Sequence, residues 1–111
     1  MANQSEPNSI RDLNDAFRRT FAGGRVLLTA SVAELPEAER QAIINLVKGF
    51  DTFDRDNDPH GEHDFGEIEH DGEHFFWKID YYVPELTGGS EFPADPTQTT
   101  RVMTIMRADE Y

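Results

Sequence analysis

The dipeptide Asp71-Gly72 constrains this chain more than any other feature. It separates two strand-like runs, and both residues tolerate the left-handed backbone that a two-residue type I′ turn needs at its centre. Such a turn fixes strand register. It sets Ile68 opposite Phe75, Gly66 opposite Trp77 and Asp64 opposite Ile79 on one face. The other face pairs Glu69 with His74, Glu67 with Phe76, Phe65 with Lys78 and His63 with Asp80. The first face is largely apolar and belongs against a core; the second is polar. A slip of one residue would exchange the two faces, so the pattern and the turn support each other. Glycine opposite tryptophan leaves room for the indole.

The flanking segments predict what this hairpin packs against. Ile10, Leu13, Phe17 and Phe21 recur at helical spacing, which predicts a helix over Ser9–Ala22. Ser9 is its expected N-cap and Gly23-Gly24 its stop, with Arg11, Arg18 and Arg19 off the apolar stripe. Val26–Ala30 predicts a short buried strand. Pro36 suits the first turn of a second helix, with Glu37 and Glu39 near its positive end and Ile43, Leu46, Val47 and Phe50 as its buried stripe. Gly49 marks its end. Asp51–Glu62 and Tyr81–Asp95 are rich in turn residues and predict two long loops. Thr99–Arg107 predicts a final strand with Val102, Thr104 and Met106 on one face. The polar residues 1–8 are expected to be disordered. The expectation is one α+β domain over residues 9–111: an antiparallel sheet of about four strands with two helices packed on one face.

Charge divides the chain unevenly. The first 50 residues hold six acids and six bases, whereas 16 of the 22 acids lie from Asp51 onward against four bases. The net charge of −12 therefore belongs to the second part. Such a field repels phosphates and argues against nucleic acid as a direct ligand. It favours a basic protein surface, a cation or simple solubility. The absence of cysteine removes disulfides and thiolate chemistry. No apolar run approaches the ~20 residues of a membrane span, and no signal peptide opens the chain. A cytoplasmic protein without a membrane partner is expected.

Three groups of residues carry candidate chemistry. His60, Glu62, His63 and Asp64 offer imidazole and carboxylate ligands for a divalent metal such as zinc, manganese or iron. Their spacing fits no established motif. Pro59 and Gly61 forbid the helix that His-Glu-x-x-His requires. A calcium loop starting at Asp54 places Asp56 and Asp58 correctly. It fails at Pro59, where glycine is needed, and at Phe65, where the bidentate glutamate belongs. The structural alternative has the loop carboxylates capping their own turns and His63 leaning on Asp80. Second, His60, His63, His70 and His74 stand among carboxylates, but no nucleophile motif accompanies them. Third, strand alternation sends Phe75, Trp77 and Tyr81 to the core and leaves Phe76 and Tyr82 on the acidic face, where aromatics anchor partner proteins.

The runs NDPHGEHDFG, DGEHFFWKIDYY and TTRVMTIMRADEY, with IRDLNDAFRRTFAGGRVLLTASVAELP upstream, resemble the domain-of-unknown-function family DUF3768. The family pattern often has tyrosine at the position of His60. The resemblance implies a small bacterial protein encoded near plasmid or integrative-element genes, beside anti-restriction-type neighbours. It assigns no catalytic residue. With the acidity, it implies a non-enzymatic accessory protein of a mobile element, a DNA-mimic-like inhibitor of anti-restriction or anti-CRISPR type. Its partner would be a basic, nucleic-acid-handling surface of a host defence nuclease or CRISPR effector. The expected contacts are Asp54, Asp56, Asp58, Glu62, Glu67, Glu69, Asp71, Glu73, Phe76, Asp80 and Tyr82, with no cofactor. The alternative is a metal-binding module or metal-dependent enzyme using His60, Glu62, His63 and Asp64. A homodimer through an unpaired edge of Thr99–Arg107 is a third reading.

Overall fold

A computed structural model describes residues 7–111. Of the segment expected to be disordered, residues 1–6 lie outside the described residues. Helix α1 already begins at Pro7 and runs to Thr20. Ser9 therefore sits inside its first turn and is not the N-cap. The helix stops at Phe21, whose φ of 62° is left-handed and whose N–H donates to the Phe17 carbonyl. Gly24 serves a different purpose from the expected stop. A Cβ there would meet the Arg101 carbonyl at 2.5 Å and the Phe17 ring at 2.8 Å.

Strand β1 spans Gly24–Leu28, followed by a short helix α2, Ala30–Ala33, which local periodicity does not announce. Helix α3, Glu37–Lys48, follows Pro36 and ends at Gly49 as expected. Its buried residues are Ile43 and Val47, whereas Leu46 is exposed, contrary to the predicted stripe. Strands β2, Phe65–His70, and β3, Glu73–Tyr82, form the hairpin. Asp71 and Gly72 both have positive φ, 53° and 80°. The register matches the expectation at every position from Phe65↔Lys78 to His70↔Glu73. The backbone ladder reaches one step further, with Ile79 N–H donating to the Asp64 carbonyl. Strand β4, Thr100–Arg107, leads into a 3₁₀ turn at Ala108–Glu110.

The strand order is β1-β4-β3-β2. Strand β4 is antiparallel to β3 but parallel to β1, so the sheet is mixed and not purely antiparallel. The parallel pair arises because the last strand inserts between the first and third. The edges are β1 and β2, which leaves no unpaired edge on Thr99–Arg107 for a second chain to extend.

The helices cover one face. Phe17, Val32, Ile43 and Val47 pack there against Ile68, Phe75, Trp77, Ile79, Met103 and Ile105. Trp77 is fully buried, and its fit depends on Gly66. A Cβ at Gly66 would stand 2.5 Å from Trp77 Nε1 and 2.8 Å from the Phe50 ring. The helix-free face carries Leu27, Val102, Thr104, Met106, Phe76, Lys78, Asp80, Tyr82, Phe65, Glu67 and Glu69, as strand alternation and register require.

Candidate functional site

Where α1 meets the start of the hairpin, polar side chains are buried together. Asn14 and Arg18 are fully buried and Arg101 nearly so. The i, i+4 spacing of Asn14 and Arg18 puts both beside the apolar row of α1, so Arg18 lies inside the core rather than off it. Asn14 Nδ2 donates to the Glu62 carbonyl at 2.9 Å and to the Tyr81 hydroxyl at 2.8 Å. Its Oδ1 accepts from Arg101 Nε at 2.6 Å. Tyr81 in turn donates to Glu62 Oε1 at 2.8 Å. Burial beside Glu62 pushes the Tyr81 phenol far above its ordinary pKa of 10.0, so it acts as a fixed donor.

A second chain of contacts continues from Arg18. Its guanidinium donates to Asp15 at 2.9 Å and lies 5.3 Å from the centres of the Phe53 and Trp77 rings. Asp15 also meets His63 Nδ1 at 2.9 Å. The His63 ring stacks flat on Phe53 with centroids 3.7 Å apart, and the His63 backbone N–H donates to Asp58 Oδ1. Burial works to raise the Asp15 carboxyl, but the His63 and Arg18 hydrogen bonds and charges outweigh it and hold the carboxyl below 3.8. Asp64 goes the other way: burial, with Glu62 and Asp58 nearby, raises it.

These contacts correct the expected role of His63. It leans on Asp15, not Asp80, because its own φ of 55° turns it out of the ladder after Asp64. Asp80 binds Lys78 at 2.7 Å instead. His74 likewise meets Glu67 at 2.7 Å rather than Glu69. Nor do His60, Glu62, His63 and Asp64 converge. Among the described residues, the only three potential ligands with donor atoms within 4.8 Å of one another are Glu39, His70 and Asp71. His70 Nε2 there is 2.7 Å from Glu39.

The network anchors a loop whose own side chains shape the rest. Asp54 Oδ1 accepts the N–H groups of Asp56 and Asn57 at 2.9 Å, and Asn57 donates to the Thr52 carbonyl. The expected acidic contacts therefore divide into three groups. Asp58 is buried and Glu62 turns inward to Tyr81. Glu73 and Asp80 are ion-paired with Arg107 and Lys78. Asp54, Asp56, Glu67, Glu69 and Asp71 are exposed, and none is ion-paired to a lysine or arginine among the described residues. Two of these five lie in the loop, two on edge strand β2 and one at the hairpin tip. A cavity of about 350 Å³, lined by Phe50, Thr52, Asn57, Phe65 and Glu67, lies where the loop meets the strand.

Phe76 and Tyr82 occupy the helix-free face as expected. Phe76 joins Phe65 and Tyr111 in a ring cluster with centroids 5.1–5.7 Å apart. Tyr82 lines a separate cleft of about 320 Å³ with Arg25, Leu27, Leu86 and Val102. Sequence reading missed Asn14, Asp15, Arg18 and Arg101. The one available signal was the polar i, i+4 pair beside the apolar row of α1.

The chain belongs to the family described as a protein of unknown function, DUF3768, whose model matches residues 28–110. No curated protein and no solved structure matches it. No helix among the described residues is long and apolar enough to cross a membrane.

Proposed function

We propose that this protein is a non-enzymatic accessory protein of a mobile element that binds a basic, nucleic-acid-handling surface of a host defence protein. The observation that carries the reading is the margin formed by Asp54, Asp56, Glu67, Glu69 and Asp71. All five are exposed and none has a cationic lysine or arginine of its own. Glu67 and Glu69 stand on the same strand face, about 6.8 Å apart along β2. A line of fixed negative charge at such spacing can stand in for part of a phosphate backbone, which nucleic-acid-handling surfaces are built to receive. The ordered loop behind it lowers the entropic cost of presenting those charges to a partner.

The test is co-purification of the untagged protein from a host carrying restriction and CRISPR systems, at low and high salt. The reading expects a basic partner whose recovery falls steeply as salt rises. Recovery of acidic partners alone, or binding indifferent to salt, would overturn it.

A further inference from the structure

The molecule's own arginines reveal a recognition mode that its surface leaves open. Arg18 combines a carboxylate, Asp15, with the rings of Phe53 and Trp77. Arg107 does the same with Glu73 and the Phe75 ring, 5.5 Å from its guanidinium. A planar guanidinium suits this arrangement because it can stack on a ring while its edge pairs with a carboxylate; an ammonium has no plane to stack.

The helix-free face repeats the combination without an arginine in it. Phe65, Phe76 and Tyr111 form the ring cluster, with Tyr111 75% exposed. Glu67 lies directly across from Phe76 in the β2–β3 register, and Glu69 is the next acid on the same face. Among the described residues the Glu67 carboxylate pairs with His74 alone, and both side chains are half exposed. Lys78, which stands opposite Phe65 on this face, is held by Asp80 at 2.7 Å. Among the described residues no arginine or lysine lies over these three rings.

We infer that this face takes an arginine-bearing segment of the partner protein, with a guanidinium stacked on the exposed Tyr111 ring, which Phe76 supports edge to face, and paired to Glu67. The inference rests on the basic-partner reading and deepens it, because it separates arginine from lysine. Charge alone would accept both.

Two synthetic peptides of equal length and charge, one of alternating arginine and alanine and one of alternating lysine and alanine, provide the test by isothermal titration against the full chain. The arginine peptide should bind about fivefold more tightly, as one exposed guanidinium–ring contact provides. Tyr111→Leu and Phe76→Leu should each remove most of that preference while leaving lysine-peptide affinity unchanged. Glu67→Gln should weaken both peptides, the arginine peptide at least as much as the lysine peptide. Phe92→Leu, at an exposed ring in another loop, should change neither. Because Tyr111 is exposed, its substitution tests the ring without endangering the fold. Equal affinities for the two peptides would overturn the arginine assignment and leave the basic-partner reading standing. An arginine preference that survives both ring substitutions would overturn the assignment to this face. No binding of either peptide would overturn both readings.

Discussion

The interior junction beneath α1 and the outer margin of β2 treat charge in opposite ways. At the junction, Arg18 finds Asp15, Arg101 finds Asn14, and Tyr81 finds both Asn14 and Glu62. At the margin, the carboxylates of Asp56 and Glu69 have no partner among the described residues, and that of Asp54 accepts only the backbone N–H groups of the turn it shapes. The difference follows from solvation. A buried charge must be matched because desolvation costs several kcal/mol per ion. A charge in water carries no such demand, so its lack of a partner leaves it free for another molecule. The first region holds the structure together, and the second is what that structure displays.

Substitutions can break this contrast, starting from the largest effect. Replacing Arg18 with methionine keeps the apolar stem but leaves the half-buried Asp15 with only His63 to answer it. We expect a loss of about 3–5 kcal/mol in urea unfolding. A loss below about 1 kcal/mol would mean that the junction does not hold the fold. Gly66→Ala should cost about 1–3 kcal/mol by driving a methyl into Trp77 and Phe50, with a blue- or red-shifted tryptophan emission as its signature. An unchanged spectrum and midpoint would show that the indole can move aside.

Two carboxyls of the junction give smaller effects of opposite sign. Asp64 has a raised pKa in the fold, so its ionisation opposes folding at neutral pH. Asp64→Asn should therefore raise the melting temperature at pH 7, and the gain should vanish as the pH falls below 3.8, where wild type is neutral in both states. Asp15 has a lowered pKa. Its contribution is present above 3.8 and is lost as the pH falls through its lower folded value. Asp15→Asn should destabilise at pH 7 and approach wild type in acid. Thermal melts across pH 2–7 on both variants check the two signs.

The least effect on stability belongs to the margin. Glu69→Gln and Asp56→Asn should each stay within about 0.5 kcal/mol of wild type. The same two changes should weaken capture of the basic partner and flatten its salt dependence. If they unfold the protein, the margin is part of the scaffold and the contrast fails.

The hairpin was legible because its information is local. Asp71-Gly72 dictates the turn, the turn dictates the register, and Gly66 opposite Trp77 follows. The second helix was legible from Pro36 and its acidic first turn. What escaped depends on partners distant in sequence. Asn14 is 87 residues from Arg101 and 48 from Glu62; without the tertiary fold, an asparagine and an arginine on a helix read as surface residues. The parallel β1–β4 pair escaped for the same reason, since no local signal says that the last strand inserts between earlier ones. At the candidate site, the acidic bias of the second half was plain. Its division into inward, ion-paired and exposed carboxylates was not, because backbone turns at Gly61 and His63 decide which way Asp58 and Glu62 point.

The placement of β4 has a consequence for how the molecule comes into being. Synthesised after the other three strands of this sheet, it is the strand that joins β1 to the hairpin among the described residues. Until the ribosome has released that segment, β1 has no strand to pair with and Arg101 cannot reach Asn14. Completion of the sheet therefore waits on β4 and closes over a long stretch of chain. A nascent polypeptide halted before Thr100 would expose the apolar surfaces of two unfinished halves to the cell's chaperones and proteases.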